Sequence, residues 1–196
     1  MSLDISKIEK FRDLINCSFI QSKIIKNCNW DKLCSAMDII DVAVLYIERI
    51  HWDETPPRFA FQLMELITAG QMIKKGIYEI LNIFRIDNPF QKERFIFKVK
   101  ETDDKIFSEY RALTFAHNLD FNKNNYFANG SKTYFAWCYW ENYDKKIANT
   151  MRYSKNKEDA IITIDYNEIY SYIKKRYDYL DEIINFLIKK YKKDEQ

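Results

Sequence analysis

The stretch FQLMELITAGQMIKKGIYEILNIF, residues 61–84, decides the fold class. Leu63, Leu66, Gly70, Ile73, Ile77, Ile80 and Phe84 recur there at alternating steps of three and four. Residues so spaced share one face of an α-helix, so the segment reads as a single long helix with an apolar seam. Gly70, lacking a side chain, is expected to let a neighbouring backbone approach the seam. The seam is assigned to the protein's own core in preference to a dimer interface, because burial of such a face supplies most helical stability. Upstream, Thr55-Pro56 fits an N-cap followed by proline at the first helical position.

Further helical stripes flank this one. Ser6-Lys7-Ile8-Glu9 fits a capping box, and Ile8, Phe11, Ile15 and Phe19 follow at helical spacing. A second helix is predicted from Trp30 to His51, with Leu33, Met37, Ile40, Val44 and Ile47 inward and His51 in its last turn. A cationic side chain there suits the exposed carbonyls. Asp87-Asn88-Pro89 marks a turn, and residues 91–100 are ambiguous. A fourth helix, capped at Thr102 or Asp103, is expected to run to about Asn118, with Asp103-Asp104 as favourable charges at its start.

The pattern changes after residue 131. Residues 133–141 (TYFAWCYWE) and 159–165 (DAIITID) are dense in β-branched and aromatic residues. They read as two antiparallel strands joined by a long polar connection. Asp165-Tyr166-Asn167-Glu168 then caps a last helix, striped by Ile169, Ile173, Tyr177, Leu180, Ile184, Leu187 and Tyr191. The expected architecture is mainly α: a helical bundle of about five long helices with a small β-hairpin, at about 132–165, inserted before the C-terminal helix. Residues 1–196 read as one domain.

Composition agrees with long elements and narrows function. Only three glycines and three prolines punctuate 196 residues. Basic and acidic residues number 31 and 29, a net charge of +2, so nucleic-acid contact is expected only through a local patch. The four cysteines, at 17, 28, 34 and 138, form no CxxC pair, and His51 and His117 are the only histidines. Neither a zinc site nor a disulfide framework is expected. Met1-Ser2-Leu3-Asp4 lacks a secretory signal, and no apolar run reaches the roughly 20 residues of a membrane helix. The expected compartment is the cytoplasm, without a membrane partner. No nucleotide-binding glycine loop, HExxH or GxSxG occurs. Glu48, Asp53 and Glu54 have no spacing that demands a metal.

One constellation carries chemistry. Arg111 and His117 stand six apart at the end of the fourth predicted helix, followed by Asn118 and a polar loop. Arginine is a permanent cation whose planar fork grips phosphate, and histidine passes protons near neutral pH. Six helical residues give a rise of about 9 Å and a rotation of about 120°, so two copies across a symmetric interface, or an early helix end, are needed to converge both groups on one atom. The bland alternative places His117 in the core, on the stripe of Ile106, Tyr110 and Leu113. The aromatics Tyr134, Phe135, Trp137, Tyr139 and Trp140, near Lys132, Lys145, Lys146 and Arg152, either stack bases or pack a sheet onto a helix.

The long-helix plan together with EYRALTFAHNLD, residues 109–120, resembles the HEPN family (higher eukaryotes and prokaryotes nucleotide-binding). Members carry an Arg-x(4–6)-His motif on a bundle helix. The resemblance implies a homodimer with facing motifs. Its active members are metal-independent endoribonucleases, often of toxin or antiphage systems; others are nucleotide-binding or accessory modules. Arg111 and His117 carry over as catalytic residues, with Asn118 in support. Ala112 stands where the family usually has a polar residue. The implied partners are a second copy, RNA or a nucleotide, and an antitoxin or nucleotidyltransferase; no cofactor or metal is implied.

Overall fold

Helix-forming stripes produce six helices of eleven residues or more among the residues described by the computed structural model, which are 2–17, 20–22, 29–52, 58–115, 127, 133–138, 147–154, 158 and 160–192. Side chains at 115, 133–138, 153, 154, 160 and 192 fall outside that set. The order is α1 (Ser6–Asn16), α2 (Trp30–Arg49), α3 (Arg58–Phe84), α4 (Asp103–Phe115), β1 (Thr133–Cys138), β2 (Ile147–Ser154), β3 (Ala160–Asp165), α5 (Tyr166–Asp178) and α6 (Leu180–Lys192). The chain is mainly helical, with the strands placed before the C-terminal helices. Two compact units emerge: unit 1 is Met1–Arg49, Ala69–Asn88 and Ile173–Gln196; unit 2 is Ile50–Thr68 and Pro89–Tyr172.

In unit 1, α1 packs on α2 and α6. The stripes read from sequence are the buried faces: Ile8, Phe11 and Ile15 on α1; Leu33, Met37, Ile40, Val44 and Ile47 on α2; Ile73, Ile77, Ile80 and Phe84 on α3. Phe19 and Thr55-Pro56 lie outside the described residues. Ser6 is not the N-cap of α1. Ile5 holds that position without a side-chain bond, and Asp4 accepts from the Ser6 N–H at 3.0 Å. His51 stands beyond α2, whose last turn carries Arg49 instead. In unit 2 the Gln62 amide donates to the His51 carbonyl at 2.6 Å. Helix α3 ends in a Schellman motif, with Ile86 N–H on the Leu81 carbonyl at 2.9 Å and Arg85 N–H on Asn82 at 3.2 Å. Arg85 adopts φ 56° there, a position that more often holds glycine.

The expected single last helix is two, parted at Tyr179. Lys7 spans the break, with Nζ 2.7 Å from both Asp178 and Asp181. The Tyr177 hydroxyl donates to the Asp4 carbonyl at 2.7 Å, and burial pushes that phenol well above its ordinary range. Past the break Ile183, not Ile184, joins Leu180 and Leu187 in the core. The stripe also contains Arg176, which is 0% exposed and sits seven residues after Ile169.

At Gly76 of α3, α2 leaves no room for a side chain. A Cβ there would lie 2.5 Å from Ile40 Cγ1 and 2.9 Å from the Ala36 carbonyl oxygen. This tight contact is at Gly76, beside the seam residue Ile77 and not at Gly70.

In unit 2, Leu63, Leu66, Ile106, Tyr110, Leu113, Ile162, Ile164 and Ile169 are buried. The Trp52 ring lies 4.4 Å from Tyr166 and 5.7 Å from Phe59. The sheet has one strand more than the sequence reading provides. Segments 133–138 and 160–165 do not pair with each other; both pair antiparallel with β2, in the order β1-β2-β3. The polar connection contains β2 because its polar groups find partners inside the sheet. Asn149 faces Thr163 across the ladder and accepts from its hydroxyl at 3.0 Å. Asp165 caps α5, as expected, accepting from the Asn167 N–H at 2.6 Å.

Gly76→Ala gains about 1 kcal/mol of helix propensity. The new methyl meets the Ile40 side chain and the Ala36 carbonyl oxygen, which costs about 1–3 kcal/mol of overpacking. The expected net loss is about 0–2 kcal/mol in urea unfolding with an unchanged m value; a variant more stable than the parent would contradict this crossing.

A second measurement concerns Asp178. Burial pushes its carboxyl up, but hydrogen bonds from Lys174 and Lys7 outweigh it and hold the group below the usual carboxylate range. A group depressed in the folded state contributes stability above its unfolded value and loses it as pH falls through the folded value. The stability gap between parent and Asp178→Asn is therefore expected to be steady from neutral pH down to about 5 and to close below about 4. A gap unchanged at pH 3 would contradict the ion pairing.

Candidate functional site

Helix α4 carries Arg111, and unit 2 holds the helix along its whole described length. At its start the Thr102 hydroxyl accepts from the Lys105 N–H at 3.3 Å, the expected cap. Asp103, the first helical residue, is 0% exposed. Its carboxylate turns back onto the preceding loop. It accepts from the N–H of Phe95 at 3.0 Å, of Ile96 at 3.2 Å and of Phe97 at 3.2 Å. The Asp103 N–H in turn donates to the Glu93 carbonyl at 2.8 Å. A carboxyl group tolerates such burial only with several hydrogen-bond partners around it. The helix N-terminus at which it sits adds a favourable field.

Aromatic packing fixes the next two turns. Phe107 stacks on Tyr172 with centroids 4.0 Å apart and planes at 13°. Phe97 meets Tyr110 edge-on at 5.4 Å and Tyr172 at 5.7 Å. The hydroxyls at the ends of these rings have acceptors: Tyr172 donates to Asp104 at 2.6 Å, and Tyr110 to the Thr163 carbonyl at 3.3 Å. With Ile106, Tyr110 and Leu113 inward, Arg111, about 100° further round, is exposed. Thr114 is buried one turn on and donates to the Arg111 carbonyl at 3.0 Å. Arg111 is thus a permanent cation at the surface of a well-anchored helix. Ala112 is half-buried. His117 and Asn118 lie outside the described residues, as do Tyr139, Trp140 and the side chains of Tyr134, Phe135 and Trp137. Arg152, on β2, donates to the Phe127 carbonyl at 3.1 Å.

The loop latched by Asp103 went unread in the sequence. Residues 91–100, ambiguous in sequence, form neither helix nor strand, and the loop's order comes from main-chain N–H groups converging on one carboxylate. Within it Phe90, Glu93 and Phe97 are buried, and Lys98 adopts φ 51°, which turns the chain after Phe97. Phe95, by contrast, is 77% exposed.

No group of three or more His, Cys, Asp or Glu able to hold a metal occurs among the described residues. Glu48 accepts from the Leu3 N–H, and Asp53 and Glu54 lie outside the described residues. No helix among the described residues is long and apolar enough to cross a membrane. In unit 1 an open groove of about 750 Å³ runs between α2 and α3, lined by charges of both signs, including Asp31, Lys32, Lys74 and Glu79. No family model matches this chain, and no curated protein or solved structure is significantly similar to it.

Asp103→Ala removes the acceptor of three main-chain donors. It is expected to cost about 3 kcal/mol of stability. It should also speed tryptic cleavage after Lys92, Arg94, Lys98 or Lys100, with Asp103→Asn intermediate. Tryptic rates equal to the parent's would mean the carboxylate does not order the loop.

Proposed function

We propose that this chain is a HEPN-like, metal-independent endoribonuclease that acts as a homodimer in the cytoplasm, within a toxin or antiphage system. The observation that carries the reading is Arg111: exposed, permanently charged and borne on a helix anchored at its start and along its buried stripe. In this reading the 2′-hydroxyl of the substrate attacks the adjacent phosphorus. The bond to the 5′-oxygen breaks, leaving a 2′,3′-cyclic phosphate and a 5′-hydroxyl. His117 of one copy takes the 2′-hydroxyl proton and that of the other returns a proton to the leaving oxygen. Arg111 holds the phosphate and offsets the charge that builds in the transition state. Asn118 orients the histidine or the phosphate.

One observation favours a second reading, a non-catalytic module that binds a nucleotide or a protein such as an antitoxin or nucleotidyltransferase. Ala112 provides no polar group beside Arg111, where the resembled family usually has one.

The first reading expects a dimer by sedimentation at micromolar concentration, and cleavage of single-stranded RNA that survives chelator and spares DNA. Arg111→Ala and His117→Ala are each expected to slow cleavage by about 10²–10⁴-fold while the protein stays folded and dimeric. Cleavage by His117→Ala at the parental rate would overturn the assignment. Binding of a partner that survives both changes, with no RNA cut, would favour the second reading.

A further inference from the structure

The chain's nearly balanced charge conceals a local excess. Residues 89–102 hold four basic and two acidic side chains, a net +2 that equals that of the whole protein. The structure separates those signs. Lys92, Arg94, Lys98 and Lys100 are exposed. Glu93 is buried, and Glu101 is paired with Lys105 at 3.1 Å. Two further carboxylates stand near: buried Asp103, which accepts from the loop's own N–H groups, and Glu168, which burial and then Asp165 push up and which feels Lys98 as a counter-charge. In the sequence Phe95 stands among these cations, next to Arg94 and three residues before Lys98; its side chain is exposed, and its backbone is held through its own N–H by buried Asp103. Two residues on, Phe97 is seated against Tyr110 and Tyr172, so the loop has its apolar anchor without Phe95.

A flexible loop would fold such a ring away from water. Here the carboxylate latch, the Phe97 anchor and the turn at Lys98 order the loop with Phe95 outward. An ordered, exposed aromatic ring flanked by cations suits a ligand that presents flat apolar faces at intervals along a polyanion. We propose that the loop of residues 89–102 binds single-stranded nucleic acid, with Phe95 stacking on a base and Lys92, Arg94, Lys98 and Lys100 meeting the phosphates. Stacking needs only one ring face and tolerates any base. An anionic bilayer offers the same charge, but one phenyl ring is a small apolar area to bury in an interface, where whole amphipathic faces are the rule. Asp103 connects the loop to α4, and Arg111 lies eight residues along that helix, about 12 Å of rise. The loop's binding does not depend on cleavage by Arg111 and His117.

The experiment uses the full-length double variant Arg111→Ala, His117→Ala, so that binding is read without cleavage. Fluorescence anisotropy with labelled 12-nucleotide oligo(U) and oligo(dT) gives the affinity. Phe95→Ala is expected to weaken binding about 5- to 100-fold, and Phe95→Trp to restore it where Phe95→Leu does not. Each lysine changed to glutamine among Lys92, Lys98 and Lys100 should lower the slope of log affinity against log salt by about 0.7. Phe95 is exposed, so circular dichroism and melting of its variants should match the parent. Equal affinity of Phe95→Ala and parent would overturn the proposal. So would full rescue by Phe95→Leu, or no binding of either oligonucleotide. Phe95-dependent binding to phosphatidylserine vesicles with none to oligonucleotides would overturn it in favour of a membrane contact. Loss of cleavage by the otherwise unaltered protein bears on the Arg111–His117 reading alone.

Discussion

A carboxylate withdrawn wholly from water is among the costlier groups a fold can contain, and Asp103 is one. Its burial is offset by three main-chain N–H groups that converge on it at 3.0–3.2 Å and by the partial positive charge of the α4 N-terminus. The arrangement satisfies both sides. Loop residues 95–97 have no strand or helix of their own to take their amides, and Asp103 has no arginine or lysine against it in the bonds described. Removing either side would leave the other buried and unsatisfied. Much of unit 2 follows from this contact. With residue 97 fixed, the Phe97 ring reaches Tyr110 and Tyr172; Tyr172 in turn stacks on Phe107 and donates to Asp104, the neighbour of the latch. Helix α4 is held from its first residue, and the outward direction of Arg111 is set by that anchoring.

Unit 1 depends on shape more than on charge. Its helices come together because α3 has nothing beyond a hydrogen at Gly76, where Ile40 and the Ala36 carbonyl press in. The break between α5 and α6 is handled electrostatically, by one lysine shared between Asp178 and Asp181. These groups are partly solvated, so the pairing contributes modestly and serves mainly to set the geometry of the junction.

What was legible in the sequence was whatever has a period. The seam from Leu63 to Phe84, the α1 and α2 stripes and the Ile106-Tyr110-Leu113 face are buried as read, since a 3.6-residue repeat leaves the same trace in sequence and in packing. Features without a period were missed. Strand β2 has Asn149, Thr150 and Arg152 where an apolar alternation was sought, and its polar groups are satisfied by cross-strand and loop partners that no local pattern encodes. The parting at Tyr179 interrupts a stripe that continues on both sides. Arg176 is buried although it is charged; only its heptad spacing from Ile169 places it on the stripe. The latch itself is the clearest case: Asp103 read correctly as a helix-start charge, but nothing in the order of residues 91–100 says that their N–H groups turn towards it.

The same contrast bears on where binding energy can reside. A side chain that must be ordered when a ligand arrives loses rotamer and backbone freedom at that moment, and the loss is deducted from affinity. On a loop held only at its ends, that loss would extend to its backbone as well. In residues 89–102 the backbone cost is met during folding, by the Asp103 bonds and by burial of Phe90 and Phe97, independently of any ligand. Phe95 then has only two side-chain torsions left to fix, which makes it a low-cost anchor, as aromatic residues at binding surfaces commonly are. The lysines around it are different: long, hydrated and mobile, they act through charge rather than fixed geometry. A surface so divided, with a rigid apolar centre and a loose cationic rim, favours a ligand whose position is set by a flat group and whose charge is repeated and tolerant of register. That division of labour, more than the count of charges, distinguishes this loop from the mixed-sign groove between α2 and α3, where acidic and basic side chains share the same wall.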